Sequence, residues 1–178
     1  MNEQESLLAA IHEEVRLHPY DPSWPFAFVA ERERLLSVLP DIFIELQHIG
    51  STAVPGLPAK PIIDILAGVD SMEVAESVAE PLCVSGYTTS VEFNKTLSDR
   101  KWFMRWANGH RTHHLHVVVH GGSAWQERLR FRDSLRSNAD LADRYAALKS
   151  RLAEKHFNDR EAYTDAKSDF VRSVLADG

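Results

Sequence analysis

With 178 residues, 44% of them hydrophobic, the chain is long enough for one domain with a buried core and too short for two of ordinary size. A net charge of −6 and a pI near 5.8 argue against a general nucleic-acid binder, whose phosphate contacts need concentrated Lys and Arg. No stretch approaches the ~20 apolar residues of a membrane span, and MNEQESLLAAIHEEVRLH lacks the basic-then-apolar order of a secretory signal, so a cytoplasmic protein is expected.

Through Arg16, the residues Leu7, Leu8, Ile11 and Val15 recur at helical spacing and predict an amphipathic helix. HPYDPSWPFAFVAERERLLSVLP reads as a Pro-rich turn, an N-cap at Asp21 or Ser23, and a helix stopped by Pro40 with Phe28, Leu35, Leu36 and Leu39 buried. IFIELQHIG is a strand ending at glycine. PIIDILAGV, apolar almost throughout between Pro61 and Gly68, has the pattern of a strand buried on both faces. SMEVAESVAEPL is a helix opened by Ser71, and two or three strands are expected to follow, at CVSGYTTSVEF, RKWFMRWA and THHLHVVVH, separated by the turns NKTLSD and NGHR. The single cysteine, Cys83, lies in an apolar run and is expected to be a buried bystander. From Ser123 onward the pattern is helical, with Ser123, Asp140 and Asp159 capping segments that end near Asn138, His156 and Ala176. This order predicts one α+β domain over residues 1–178: a mixed β-sheet with helices packed on it and a helical C-terminal third.

The stretch HIGSTAVPGLPAKPIID carries the first chemical signal. A glycine after a strand, Gly50, lets backbone N–H groups approach a phosphate, and Ser51 adds a hydroxyl. Most Gly-Ser pairs are ordinary turns, but here the chain returns quickly to a second strand, bringing Lys60 near the turn and Asp64 into the sheet. An ionised Asp64 between PII and IL needs compensation, which favours a metal or catalytic role over a capping or salt-bridging one.

Period-2 alternation sets His114, His116 and Val118 on one face of their strand, and His113, Leu115, Val117 and Val119 on the other. Two imidazoles at i and i+2 can ligate a metal or place a base beside a carboxylate, with His48 joining from the first strand; a hydrogen-bonded structural pair is the equal alternative. Arg100, on one face with Trp102 and Met104, suits phosphate recognition beside a stacking ring, or guards an exposed edge strand. RLRFRDSLR reads as a solvated helix face with Leu129 and Leu135 inward. Tyr163 and Lys167, one turn apart, suit packing at the core edge before contact with a ligand.

Together, YDPSWP, HIGSTAVPGLPAKPIIDIL, THHLHVV and YTDAKSDF resemble the GrpB family across nearly the whole chain. That family is assigned to the nucleotidyltransferase superfamily, marked by a Gly-Ser turn after one strand and an Asp-x-Asp pair on the next. The resemblance implies a nucleotidyltransferase-like sheet in which Gly50 and Ser51 form the phosphate-side turn and Asp64 is one acid of the metal-binding pair. The second acid is absent, its slot falling on Ile62 or Leu66. Where the superfamily often has a third carboxylate on a later strand, His114 or His116 stands. One Asp with imidazoles suits a single softer ion, Mn²⁺ or Zn²⁺, or no metal, better than the two Mg²⁺ of nucleotidyl transfer.

The expected function is therefore a nucleotidyltransferase-like enzyme moving a nucleotidyl or phosphoryl group from a nucleoside triphosphate to a small acceptor. Gly50, Ser51, Lys60 and Arg100 would hold phosphates, and Asp64 and His116 would be catalytic. Asp64, His114, His116 and His48 would surround any divalent Mg, Mn or Zn. The alternatives are an inactive module of the same fold that binds a nucleotide or phosphorylated metabolite, and a mononuclear metal-dependent hydrolase. The partner expected is a nucleotide or other small molecule, with no membrane and no nucleic acid; the sequence leaves the oligomeric state open.

Overall fold

A computed structural model of the chain describes residues 2–177, so Met1 and Gly178, the ends of the expected domain, lie outside the described residues. The elements are α1 (Glu3–Ile11), α2 (Trp24–Val38), β1 (Glu45–Ile49), a 3₁₀ turn (Ser51–Ala53), β2 (Ile63–Val69), α3 (Met72–Ser77), α4 (Ala79–Val84), α5 (Val91–Lys95), β3 (Lys101–Ala107), β4 (His110–Val119), α6 (Ser123–Ser137), α7 (Ala139–Lys155) and α8 (Arg160–Ala176). The strands form a four-stranded mixed sheet in the order β1-β2-β4-β3. β2 pairs antiparallel with β1 and parallel with β4, and β3 pairs antiparallel with β4 across a turn in which Asn108 and Gly109 both have positive φ. The architecture is the mixed α+β one expected from the sequence, and β2, the most apolar strand, takes a central position.

The two faces of the sheet are covered differently. On one, Leu46, Ile63, Ile65, Ala67, Phe103, Leu115 and Val117 pack against Leu35 of α2 and Leu39 just after it, and against Ala75 of α3, Leu82 of α4 and Val78 between those two helices. On the other, Ile49, Leu66 and Val118 are covered by Ala124 and Trp125 of α6. This second cover stops short of Asp64, beyond which the face opens into a cavity walled by α7 and α8.

Several local expectations change. Helix α1 ends at Ile11 and exposes Leu8 and Ile11, because it docks through small and polar groups: Ser6 Oγ accepts from Gly109 N and the Ala10 carbonyl accepts from Arg111 Nε. Leu36 of α2 is likewise exposed. The expected helix at SMEVAESVAEPL keeps its Ser71 cap but is two helices. Pro81 has no N–H, and it falls in the first turn of α4, where that donor has no intrahelical partner. The expected strand at 83–93 is absent: Cys83 and Val84 end α4, Ser90 caps α5 through Phe93 N, and only Thr88 bridges to Met104. Cys83 is exposed rather than buried. Asn138, not Asp140, caps α7, and Gly122 rather than Ser123 precedes α6, whereas Asp159 caps α8 as expected.

Candidate functional site

Asp64 stands in β2 opposite Ile49 of β1 and His114 of β4. The period-2 pattern of β4 turns His114 and His116 toward it: His114 Nδ1 lies 3.4 Å and His116 Nε2 3.8 Å from Asp64 Oδ1. Arg111 reaches within 3.3 Å of His114 Nε2. Because a guanidinium only donates, Nε2 accepts and the proton resides on Nδ1, facing the carboxylate. His116 presents its other nitrogen, Nδ1, buried and without a partner.

The turn before β2 is built to meet this acid. Gly50 has φ +75°, which L side chains rarely adopt, and a Cβ there would lie 2.4 Å from Asp64 Oδ2. Only glycine allows the Gly-Ser turn to close onto the carboxylate. Helix α6 braces the turn from outside, Arg136 Nε donating to Ala53 O and Arg132 Nη1 to Gln47 Oε1 and His48 O. Leu135 is buried as expected, but Arg132 is buried with it, so RLRFRDSLR is not simply a solvated face.

Ser51, Lys60, Asp64, Arg100, His114 and His116 line one cavity of about 940 Å³, together with Phe93, Trp102, Arg111, Lys149, Arg160 and Lys167. The structure thus brings all but two of the expected site residues to one cavity. Gly50 lies behind Asp64, and His48 is elsewhere. His48 pairs in register with Ile65, on the opposite face of the sheet from Asp64; its Nε2 lies 2.9 Å from Thr52 Oγ1 and its ring stacks on Phe28. The expectation of His48 as a metal ligand is corrected on that ground: successive residues of a strand face opposite ways, and His48 falls in the wrong phase.

Burial alone would raise the Asp64 pKa, but the His114 and His116 contacts outweigh it and hold the carboxyl well below the usual range. Burial lowers both imidazoles against the pull of Asp64, His114 to about 4. At neutral pH the centre is one carboxylate facing neutral imidazoles. Around it, burial and neighbouring cations, Lys167 foremost, push Lys60 down to about 6. Burial lowers Lys167 to about 8 and Lys149 well below its ordinary value.

Lys149, Arg111 and Arg160 were not singled out in the sequence. Lys149 had a legible signal: with Leu141, Tyr145, Leu148 and Leu152 it occupies the apolar phase of α7, where an unpaired ammonium has no structural reason to be. Arg111 and Arg160 carry no comparable mark.

The GrpB family description, "GrpB protein", matches residues 14–177. The chain belongs to the GrpB family. Among its relatives, UPF0157 protein YqkA of Bacillus subtilis is 35% identical over 94% of this chain, which spans only about half, 49%, of that protein. Glutamate-rich protein GrpB of Alkalihalophilus pseudofirmus is 37% identical over 91% of this chain and 94% of its own length. A segment amounting to 45% of the dephospho-CoA kinase of Mycolicibacterium paratuberculosis is 30% identical to 90% of this chain. The crystal structure of GrpB from Enterococcus faecalis superposes with a TM-score of 0.80 at 32% identity, covering 91% of this GrpB-family chain and 96% of that one.

Proposed function

We propose that the cavity binds a nucleotide-type phosphorylated ligand and transfers its nucleotidyl or phosphoryl group to a small acceptor. The observation that carries this reading is Asp64: an acid set against a glycine turn, facing two imidazoles and a cavity whose lining includes Ser51, Lys60 and Arg100, groups that bind phosphate. Ser51, Lys60 and Arg100 supply a hydroxyl and two cations, and Trp102 with Phe93, ring centroids 5.8 Å apart, supplies planar apolar surface for a base. A nucleotide-type ligand is further supported by the like segment in an enzyme named for dephospho-CoA.

In the proposed nucleotidyl transfer His116, a cavity-lining residue, takes the acceptor hydroxyl's proton on Nδ1, a buried atom that the bound ligand must first uncover, while its other nitrogen faces Asp64. The acceptor oxygen bonds to the α-phosphorus as the α–β bridging P–O bond breaks, and pyrophosphate leaves with the electron pair toward the cationic wall. Asp64 fixes the imidazole and balances the charge it acquires.

The two-ion centre of the superfamily does not fit these residues. Ile62 and Leu66, at the positions open to a second carboxylate, are both buried and apolar, and β4 offers imidazoles where hard ions want oxygen. Among the described residues no group of three His, Cys, Asp or Glu side chains is disposed to hold a metal. The step above is therefore carried by side chains alone.

A panel of nucleoside triphosphates with candidate small acceptors tests the reading through pyrophosphate release, which Asp64→Asn and His116→Ala should each reduce at least 100-fold. The missing second acid favours one further reading, a binding module: saturable thermal stabilisation by a nucleotide with no product would establish it. Stoichiometric Zn²⁺ or Mn²⁺ retained on the purified protein would instead favour the mononuclear hydrolase.

A further inference from the structure

The lining of the cavity gathers basic side chains from separate parts of the chain: Lys60 from the loop before β2, Lys149 from α7, and Arg160 and Lys167 from α8. Clustering like charges away from bulk water is unfavourable unless the groups give up protons or something negative answers them. The fold answers them only in part. Arg160 Nη2 lies 3.3 Å from Glu13 Oε1, and Lys149 Nζ donates to the Pro58 carbonyl at 2.8 Å. Lys60 and Lys167 lie over one aromatic ring, Tyr163, at 4.9 and 4.6 Å from its centroid, instead of beside a carboxylate. Among the described residues, none of the three lysines has an ion-pair partner within 4.0 Å. Asp64 acts on all four but is shared among them and held by its imidazoles, and Asp159, Glu161 and Asp165, which also line the cavity, form no ion pair with them within 4.0 Å.

We propose that Lys60, Lys149, Lys167 and Arg160 form a polyphosphate-binding subsite that does the charge work of divalent metal ions, so that a di- or triphosphate chain binds here without Mg²⁺. This rests on the reading of the cavity as a site for a phosphorylated ligand and adds what replaces the missing acid-held metals. Once a bound polyphosphate draws protons onto the lysines, the four side chains reach the formal charge of two divalent ions, which is what a triphosphate needs near its β and γ groups. The two features are complementary. Replacing carboxylates by Ile62 and Leu66 removes the ligands of the metals, and placing ammonium groups on facing helices returns positive charge from the other side. Packing the lysines on Tyr163 and on a carbonyl holds them in position without a carboxylate to compete with the ligand for them.

Inorganic pyrophosphate and tripolyphosphate, titrated calorimetrically into the full chain in EDTA, test this directly. Saturable one-to-one binding is expected, with tripolyphosphate the tighter. Added Mg²⁺ should weaken it by competing for the same oxygens. Lys60→Gln and Lys167→Gln should each lower affinity at least tenfold, while Lys95→Gln, on the exposed surface, leaves it within twofold. A readout on the unaltered chain guards against variants that fail to fold: bound tripolyphosphate should slow acylation of Lys60 and Lys167 at least fivefold, measured by mass spectrometry, and leave Lys95 unaffected. Binding that needs Mg²⁺, or that ignores the lysine changes and gives no protection, overturns the proposal. Its fate is separable from that of the transfer reaction. Metal-free binding without turnover keeps the subsite and removes the transferase, and turnover that requires a divalent ion with no binding in EDTA does the reverse.

Discussion

Two acids, one on each side of the sheet, meet neighbouring histidines of the same strand. His113 lies 3.8 Å from Glu31, and His114 lies 3.4 Å from Asp64. Glu31 is closed in: it accepts from Arg34 Nη2 at 2.9 Å, Arg105 Nη1 at 2.5 Å and Tyr87 Oη at 2.7 Å, and its side chain is 5% exposed. Asp64 is 27% exposed to a cavity, its cations stand off, and its nearest contacts are imidazoles. Burial would raise Glu31, but its Arg34 and Tyr87 hydrogen bonds win and lower it, so both acids are ionised at neutral pH for different reasons. An acid whose partners are complete holds a fold together. An acid whose cations face an open volume is left for a ligand.

The largest effect expected on stability follows from breaking the closed acid. Glu31→Gln leaves Arg34 and Arg105 without their counter-charge and should destabilise by about 3 kcal/mol, since removing one member of a buried network strands the rest. In a chain of this size Tm should fall by roughly 6–12 °C. Thermal melts check it, and an unchanged Tm would erase the distinction between the two acids. Next is Gly50→Ala, where positive φ costs about 1–2 kcal/mol and the added methyl meets the Asp64 carboxylate. A destabilisation of about 2 kcal/mol is expected together with loss of most turnover, whereas Gly56→Ala, also at positive φ but with open space around it, should lose stability alone.

Acid sharpens the comparison less steeply. Burial lowers His48, His113 and His114 to about 4 in the fold, against about 6.5 in an unfolded chain. Between these values the unfolded state binds more protons, so stability falls as pH drops from 6.5 toward 4 and is flat with respect to these groups above 6.5. These three groups alone should cost about 2 kcal/mol between pH 7.5 and 6, read from chemical denaturation at the two values. Glu31 and Asp64, both lowered, extend the loss below pH 4. A stability maximum below pH 6 would contradict the charge states assigned to both centres.

Much of this was legible because it depends on period. A strand alternates, so the pairing of His114 and His116 on one face, and the placing of Arg100 with Trp102, followed from counting. The continuous apolar run around Asp64 marked β2 as central for the same reason. What escaped depends on tertiary pairing. CVSGYTTSVEF has strand composition and lies beside the edge strand β3, yet only Thr88 pairs with it, because α4 takes Cys83 and Val84 and local capping by Ser90 takes the far end. The lysine wall joins residues from 60 to 167, and only the packing of α7 and α8 over the sheet makes them neighbours. Glu31 and its partners were invisible because Arg105 and Tyr87 lie far from it in sequence.

The smallest expected effect is also the one that separates the faces most cleanly. His48 is as buried as a catalytic histidine and has a similarly lowered pKa, yet it lies on the Glu31 side of the sheet, stacked on Phe28. His48→Gln should lose the stack and cost about 1 kcal/mol of stability, by the usual worth of an aromatic pair, while its amide keeps a bond to Thr52. Affinity for tripolyphosphate and any turnover should stay within twofold of the parent chain, whereas His116→Gln should abolish turnover at little structural cost. A tenfold loss of affinity in His48→Gln would mean that the sheet transmits changes from its closed face to its open one, and the two acids would then have to be treated as one coupled system.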